Sequence, residues 1–188
     1  MRDMIAIDTT RIRAVWLGLL IAVSAALTTV YTCITPFAAF AVIAATTLSC
    51  RNAVVLTLAL WLVNQAVGFS VLHYPWTAST FAWGIAIGGA AVLGTLAAYW
   101  TVRRFASSSS LTRSGVTFVS AFAFYELGLY AVAVSLLGGT GAFAPRIIGE
   151  VLLVNAVTLV DLVALNQLVA GAVVLRRRRS HASPARVA

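Results

Sequence analysis

Residues 115–137 read GVTFVSAFAFYELGLYAVAVSLL, and their reading decides the fold. The run is apolar for about the length a helix needs to cross a bilayer, roughly 20 residues. Its one charge is Glu126, near its middle. A soluble helix would carry charges along one face; this one carries a single carboxylate in an apolar cylinder.

The rest of the chain repeats the pattern. Of its 188 residues, 61% are hydrophobic and 10% charged, and the mean hydropathy is +0.98. Soluble domains average about 45–50% apolar and about 25% charged residues. This arithmetic excludes a soluble enzyme, a secreted disulfide scaffold and an ordinary DNA-binding domain.

Working outward, six apolar spans emerge. They cover approximately 14–31, 36–50, 53–72, 77–100, 115–137 and 147–175. Thr35-Pro36 and Pro145 restart helices, because Pro suits the first helical position. His73-Tyr74-Pro75-Trp76 and Gly138-Gly139-Thr140-Gly141 mark turns, and Ser107–Ser110 reads as a flexible linker. The expected architecture is an all-α integral membrane protein with six transmembrane helices. Residues 1–13 form an N-terminal segment, 14–175 the membrane domain and 176–188 a basic tail. The apolar part of the first span is longer than a usual signal core, so it is read as a retained span.

An even number of spans puts both termini on one side, and the arginines sort accordingly. Arg2, Arg11, Arg13, Arg51, Arg103, Arg104, Arg113, Arg176–Arg179 and Arg186 share the terminus side, 12 of the 13 basic residues; Arg146 stands alone opposite. Basic loop residues mark the cytoplasmic face. Both termini are therefore expected in the cytoplasm, and the expected location is a bacterial inner membrane, crossed several times. The net charge of +8 then marks a membrane face and contact with the lipid bilayer, with no nucleic acid as partner.

The second span is the shortest. Fifteen residues from Pro36 make about 22 Å of helix, less than the hydrocarbon core of about 30 Å. Either its ends snorkel, or Tyr31–Pro36 dips into the bilayer against protein. Such a segment is a pointer to a cavity.

Few residues carry chemistry. Cys33 and Cys50 lie about 25 Å apart along a helix, beyond disulfide reach. No metal-ligand spacing, nucleotide loop or catalytic triad pattern appears, so neither a metal site, a cofactor nor an enzyme is expected. Ionisable groups inside spans are costly and face a bundle interior or cavity. Glu126 has Phe122 and Tyr130 one turn away on either side. Glu150 and Asp161 are 11 residues apart on the last span, about 20° of rotation, and share a face. Arg146 and Glu150 are placed to pair at i, i+4. Asn64, Gln65, Asn155, Asn166 and Gln167 serve either a pocket or interhelical bonding worth about 0.6–2 kcal/mol each.

The functional expectation is a polar pocket opening outward. Glu126 and Asn64 bind deep, with Arg146, Glu150 and Asn155 near the mouth. His73 and Trp76 stand among outer aromatics that suit a flat, ring-containing ligand, or else form an interface belt. Gly18, Ala22 and Ala26 make one small-residue stripe; Gly84 and Gly88 make another.

On these features the chain resembles the substrate-binding S component of energy-coupling-factor vitamin transporters. Those are six-helix proteins of similar length with cytoplasmic termini, in which an Ala-x-x-x-Ala of the first span docks a transmembrane coupling subunit. Ala22 and Ala26 match that motif in type and position. The resemblance implies an outer pocket closed by the loops at Tyr31–Thr35, His73–Trp76 and Gly138–Pro145. No segment matches the signatures of the thiamin, riboflavin or biotin members. In a cobalamin-type group a cysteine binds the ligand's cobalt, and Cys33 or His73 is the candidate for that role. The function so implied is uptake of a small vitamin-like solute, with a coupling subunit and its ATPases, or a second copy, as partner. Two alternatives stand beside it: a non-transporting scaffold or assembly subunit, and a proton- or metal-coupled carrier.

Overall fold

The structure, a computed structural model, describes Gly18, Ala22 and residues 35–181. All the regular structure described is helical. Five helices follow in order: α1 (Phe37–Thr47), α2 (Cys50–Ser70), α3 (Ala78–Arg104), α4 (Ser110–Val132) and α5 (Pro145–His181). A π-helical turn, Ala133–Leu137, extends α4, and a 3₁₀ turn, Thr140–Phe143, precedes α5. Four of the helices are long and apolar enough to cross a membrane; α1 is not.

α1 is the centre of the bundle. Every residue from Phe37 to Ala45 is buried, as expected of a helix apolar on all sides. One face, with Phe37, Phe40, Ile43 and Ala44, packs on Leu56, Leu60, Ala91 and Leu162 of α2, α3 and α5. The opposite face, with Ala38, Ala41, Val42 and Ala45, packs on Ala98, Phe118, Ala121 and Phe122 of α3 and α4. The long helices thus wrap a short one, and α5 packs on the others chiefly through α1.

Exposed tryptophans frame the bundle. Trp76, 76% exposed, precedes α3, and Trp100, 67% exposed, lies near its end. From Ala78 to Trp100 the helix rises about 33 Å, close to the roughly 30 Å hydrocarbon thickness. Arg103 and Arg104 close α3, where cations favour the helix C-terminus. Arg51, Arg103, Arg104 and Arg113 gather at one end of the bundle, where α2 and α4 start and α3 stops. α1 finishes at this arginine end with Thr47, one short turn before Cys50. Its 11 residues rise only about 16 Å, so Thr35 and Pro36, both buried, lie partway across the bundle. Of the segment Tyr31–Pro36 expected to dip, Thr35 and Pro36 are described, and both are buried. Residues 31–34 lie outside the described residues.

Several boundaries differ from the sequence reading. Arg51 and Asn52, which fall between the spans read at 36–50 and 53–72, lie within the first turn of α2, which begins at Cys50, and both are exposed. Ser109 is not part of a loose linker. Its hydroxyl caps α4 by accepting from the Thr112 N–H at 3.2 Å, so the helix begins at Ser110, five residues before the apolar run. Thr77 caps α3 in the same way through the Thr80 N–H. Pro145 opens α5 as expected.

Gly84 and Gly88 do not receive a bare helix backbone. The Gln65 side chain fills the space at Gly84, and the Trp61 ring lies over Gly88 and donates its Nε1–H to the Gly84 carbonyl at 2.8 Å. The close α3–α4 approach is made at Gly94, where a Cβ would stand 2.9 Å from the Ala121 carbonyl oxygen.

Candidate functional site

The start of α1 brings together residues from three segments far apart in sequence. Helix N-termini leave backbone N–H groups without intrahelical partners, and at mid-bundle depth no bulk water supplies them. Asn155 of α5 does so. Its Oδ1 accepts from the Ala38 N–H at 3.0 Å and the Ala39 N–H at 3.3 Å, while its Nδ2 donates to the Val151 carbonyl at 2.9 Å. From α2, Asn64 donates Nδ2–H to Thr35 Oγ1 at 2.6 Å, and Gln65 donates to Asn64 Oδ1 at 3.0 Å. Asn64, Thr35 and Asn155 are all buried. Two residues expected deep in a pocket and near its mouth thus converge on one helix end. Their polar groups are engaged by the protein itself.

Glu126 stands on α4 with a graded neighbourhood. One turn toward the arginine end, Phe122 is buried among α1 residues. The adjacent Tyr125 packs its ring on Phe37, the first residue of α1, at 5.8 Å between centroids. One turn the other way, Tyr130 is 46% exposed and meets Phe143 of the 3₁₀ turn edge-on at 5.2 Å. Glu126 is half-buried between these levels. Its position is about 16 Å of helix below Leu137. Among the described residues no cation pairs with it; the salt bridge present joins Arg146 and Glu150.

That pair lies at 3.0 Å between Arg146 Nε and Glu150 Oε1, at side-chain exposures of 89% and 55%. Its geometry is the i, i+4 pair expected from sequence, and its exposure makes it a weak contributor to stability. Asp161 is exposed on α5 as well.

His73 and Trp76 belong to the α2–α3 turn. His73 is exposed and adopts a left-handed backbone, φ +55°. Trp76 packs on Phe69 at 4.9 Å and Phe81 at 5.8 Å, and Phe69 stacks on Phe81 at 5.0 Å. This aromatic group lies between α2 and α3, whereas Glu126 stands on α4, where the neighbouring Tyr125 meets α1 and Tyr130 meets the turn before α5. The candidate residues therefore form four groups: the amides at the start of α1, Glu126, the Arg146–Glu150 pair, and the hairpin residues His73 and Trp76. Gly18 and Ala22 are helical and exposed; Ala26 and Cys33 lie outside the described residues.

Sequence reading missed Tyr125 as the contact between α4 and the start of α1. It also missed the buried Thr57–Thr95 hydroxyl pair at 2.8 Å between α2 and α3. Tyr125 adjoins a carboxylate in an apolar run, which is the one signal that pointed to it; Thr57 and Thr95 carry none. Among the described residues no group of three His, Cys, Asp or Glu side chains stands together to hold a metal ion.

No protein-family model, curated protein or solved structure matches this chain.

Proposed function

We propose that this chain is the solute-binding membrane subunit of an uptake transporter, taking a small vitamin-like molecule from the face opposite the arginines. In this reading the chain crosses a bacterial inner membrane six times, with both termini in the cytoplasm. The observation that carries it is α1, a buried helix that begins partway across the bundle. Interrupted spans place helix ends and irregular backbone at membrane depth, which is how secondary transporters build binding sites. Glu126 supports the reading, because a carboxylate inside a span marks a ligand, ion or proton path by default. The energy comes from a partner with ATPases or from a gradient.

The test is methanol extraction of the purified chain followed by mass spectrometry of the extract. The reading expects an organic molecule in near-stoichiometric amount; a ligand-free protein that purifies in fixed ratio with another membrane protein contradicts it.

That contradictory outcome belongs to the second reading, a scaffold subunit. It is favoured by the Asn64 and Asn155 bonds, which use the amides to hold helices together rather than to meet a solute.

A further inference from the structure

The end of the bundle where α3 stops and α4 starts gathers positive charge that the described residues do not neutralise. Thr101 Oγ1 donates to Ser120 Oγ at 3.0 Å, so the two helices stay in contact toward this end. Residues 105–109 join them, with Arg103 and Arg104 before the connection and Arg113 after it. Cations suit the C-terminus of α3, but Arg113 lies at the start of α4, where the helix dipole is itself positive. No acidic residue stands in the first turn of α4. Among the described residues the salt bridge present is at the opposite end, between Arg146 and Glu150.

Arg113 differs from the other arginines described at this end. Arg51, Arg103 and Arg104 are exposed. Arg103 reaches back along its own helix, donating to the Tyr99 hydroxyl at 3.2 Å with its guanidinium over the Tyr99 ring. Arg113 is half-buried, and its Nε–H is enclosed without a hydrogen-bond partner. Buried donors left without partners are few in native proteins. A guanidinium packed in this way gives up little further freedom on binding, and its planar fork of donors matches an oxyanion such as phosphate.

The apolar surroundings select the kind of anion. Trp100, Phe105 and Leu111 are all exposed and share this end with the arginines, Leu111 at 85%. The helices that carry Trp100 and Leu111 are long and apolar enough to cross a membrane. Exposed aromatic and aliphatic side chains beside guanidinium groups at the end of such helices suit the headgroup boundary of a bilayer. There acyl chains meet the apolar side chains, and lipid phosphates meet the arginines.

We propose that Arg113, with Arg103 and Arg104, holds the phosphate of an anionic phospholipid in the leaflet at the arginine end. The lipid fastens the α3–α4 hairpin there, whichever solute the chain binds.

The experiment titrates the delipidated full chain in detergent and counts bound phospholipid by native mass spectrometry. Dioleoylphosphatidylglycerol is compared with dioleoylphosphatidylcholine, which has the same chains and no net charge. Glycerol 1-phosphate and inorganic phosphate, which have no chains, serve as competitors. One phosphatidylglycerol is expected to bind in preference to phosphatidylcholine, with neither competitor displacing it at equal concentration. Arg113→Gln is expected to weaken that binding about fivefold, the weight of one arginine at an anionic surface, and Arg113→Lys to restore part of it. Arg103→Gln with Arg104→Gln, both at exposed positions, weakens it while leaving the unliganded melting temperature near wild type. Arg51→Gln, at the same end on α2, leaves the binding near wild type. Equal losses from Arg51→Gln and Arg113→Gln would show a diffuse field in place of a site and overturn the assignment. Equal binding of the two lipids, or displacement by either competitor, would do the same. Asp3 and Asp8 lie outside the described residues; if either neutralises Arg113, Asp3→Asn with Asp8→Asn creates a preference for phosphatidylglycerol that the wild type lacks, which also overturns it.

Discussion

Asn155 Oδ1 holds the Ala38 N–H at 3.0 Å across 117 residues of sequence. One amide side chain from α5 thereby closes the free end of the helix at the centre of the bundle. It accepts a second bond from Ala39, and α1 in turn is what the long helices pack around.

Replacing Asn155 by Ala leaves two buried N–H groups without an acceptor. The expected cost is about 1–3 kcal/mol, seen as a fall of several degrees in the melting temperature in detergent. Glu150→Ala, which removes an exposed ion pair, is expected to cost less than about 1 kcal/mol. Equal effects from the two substitutions would show that Asn155 does not cap α1.

Phe40 is nearly fully buried on α1 and lies in the core with Leu56, Leu60 and Leu162. Phe40→Ala is expected to destabilise by about 3–5 kcal/mol, whereas Phe124→Ala on the exposed side of α4 is tolerated. Detergent-solubilised yield and thermal unfolding distinguish the two.

Gly94 allows α3 to approach α4, and its Cβ position lies 2.9 Å from backbone rather than from a movable side-chain tip. Gly94→Ala is expected to cost about 1–3 kcal/mol by overpacking. Gly89→Ala meets nothing within 4 Å and is expected to be neutral. Parallel melting curves of the two variants check this.

Gly138 and Gly139 leave the π-turn with φ +73° and +81°. A side chain at Gly138 is strained by about 1–3 kcal/mol, so Gly138→Ala is expected to disturb the turn that carries Phe143. Gly141→Ala, whose added Cβ meets nothing within 4 Å, is expected to be neutral, and parallel melting curves of the two variants check this.

The long spans and two of their starts were legible in the sequence because each rests on local chemistry. Thr77 caps α3 and Pro145 opens α5. The start of α4 was not, because a serine run looks the same as a linker and as a cap until Ser109 is seen to accept from Thr112. α2 began earlier than read, since Arg51 at a membrane boundary does not stop a helix. The shortness of α1 was visible from its length. Its central burial was not, because an apolar run facing lipid and one facing protein have the same composition. Glu126 stood out as one carboxylate in an apolar run. The partners of Asn64 and Asn155 did not, since they are fixed by contacts between distant segments.

Native mass spectrometry of the wild-type chain beside Glu126→Gln tests the central claim most directly. The account predicts a wild-type population heavier by one small organic molecule, and a Glu126→Gln protein of the same fold without it. Two proteins that both fly without added mass, or that carry the same molecule to the same extent, would contradict it.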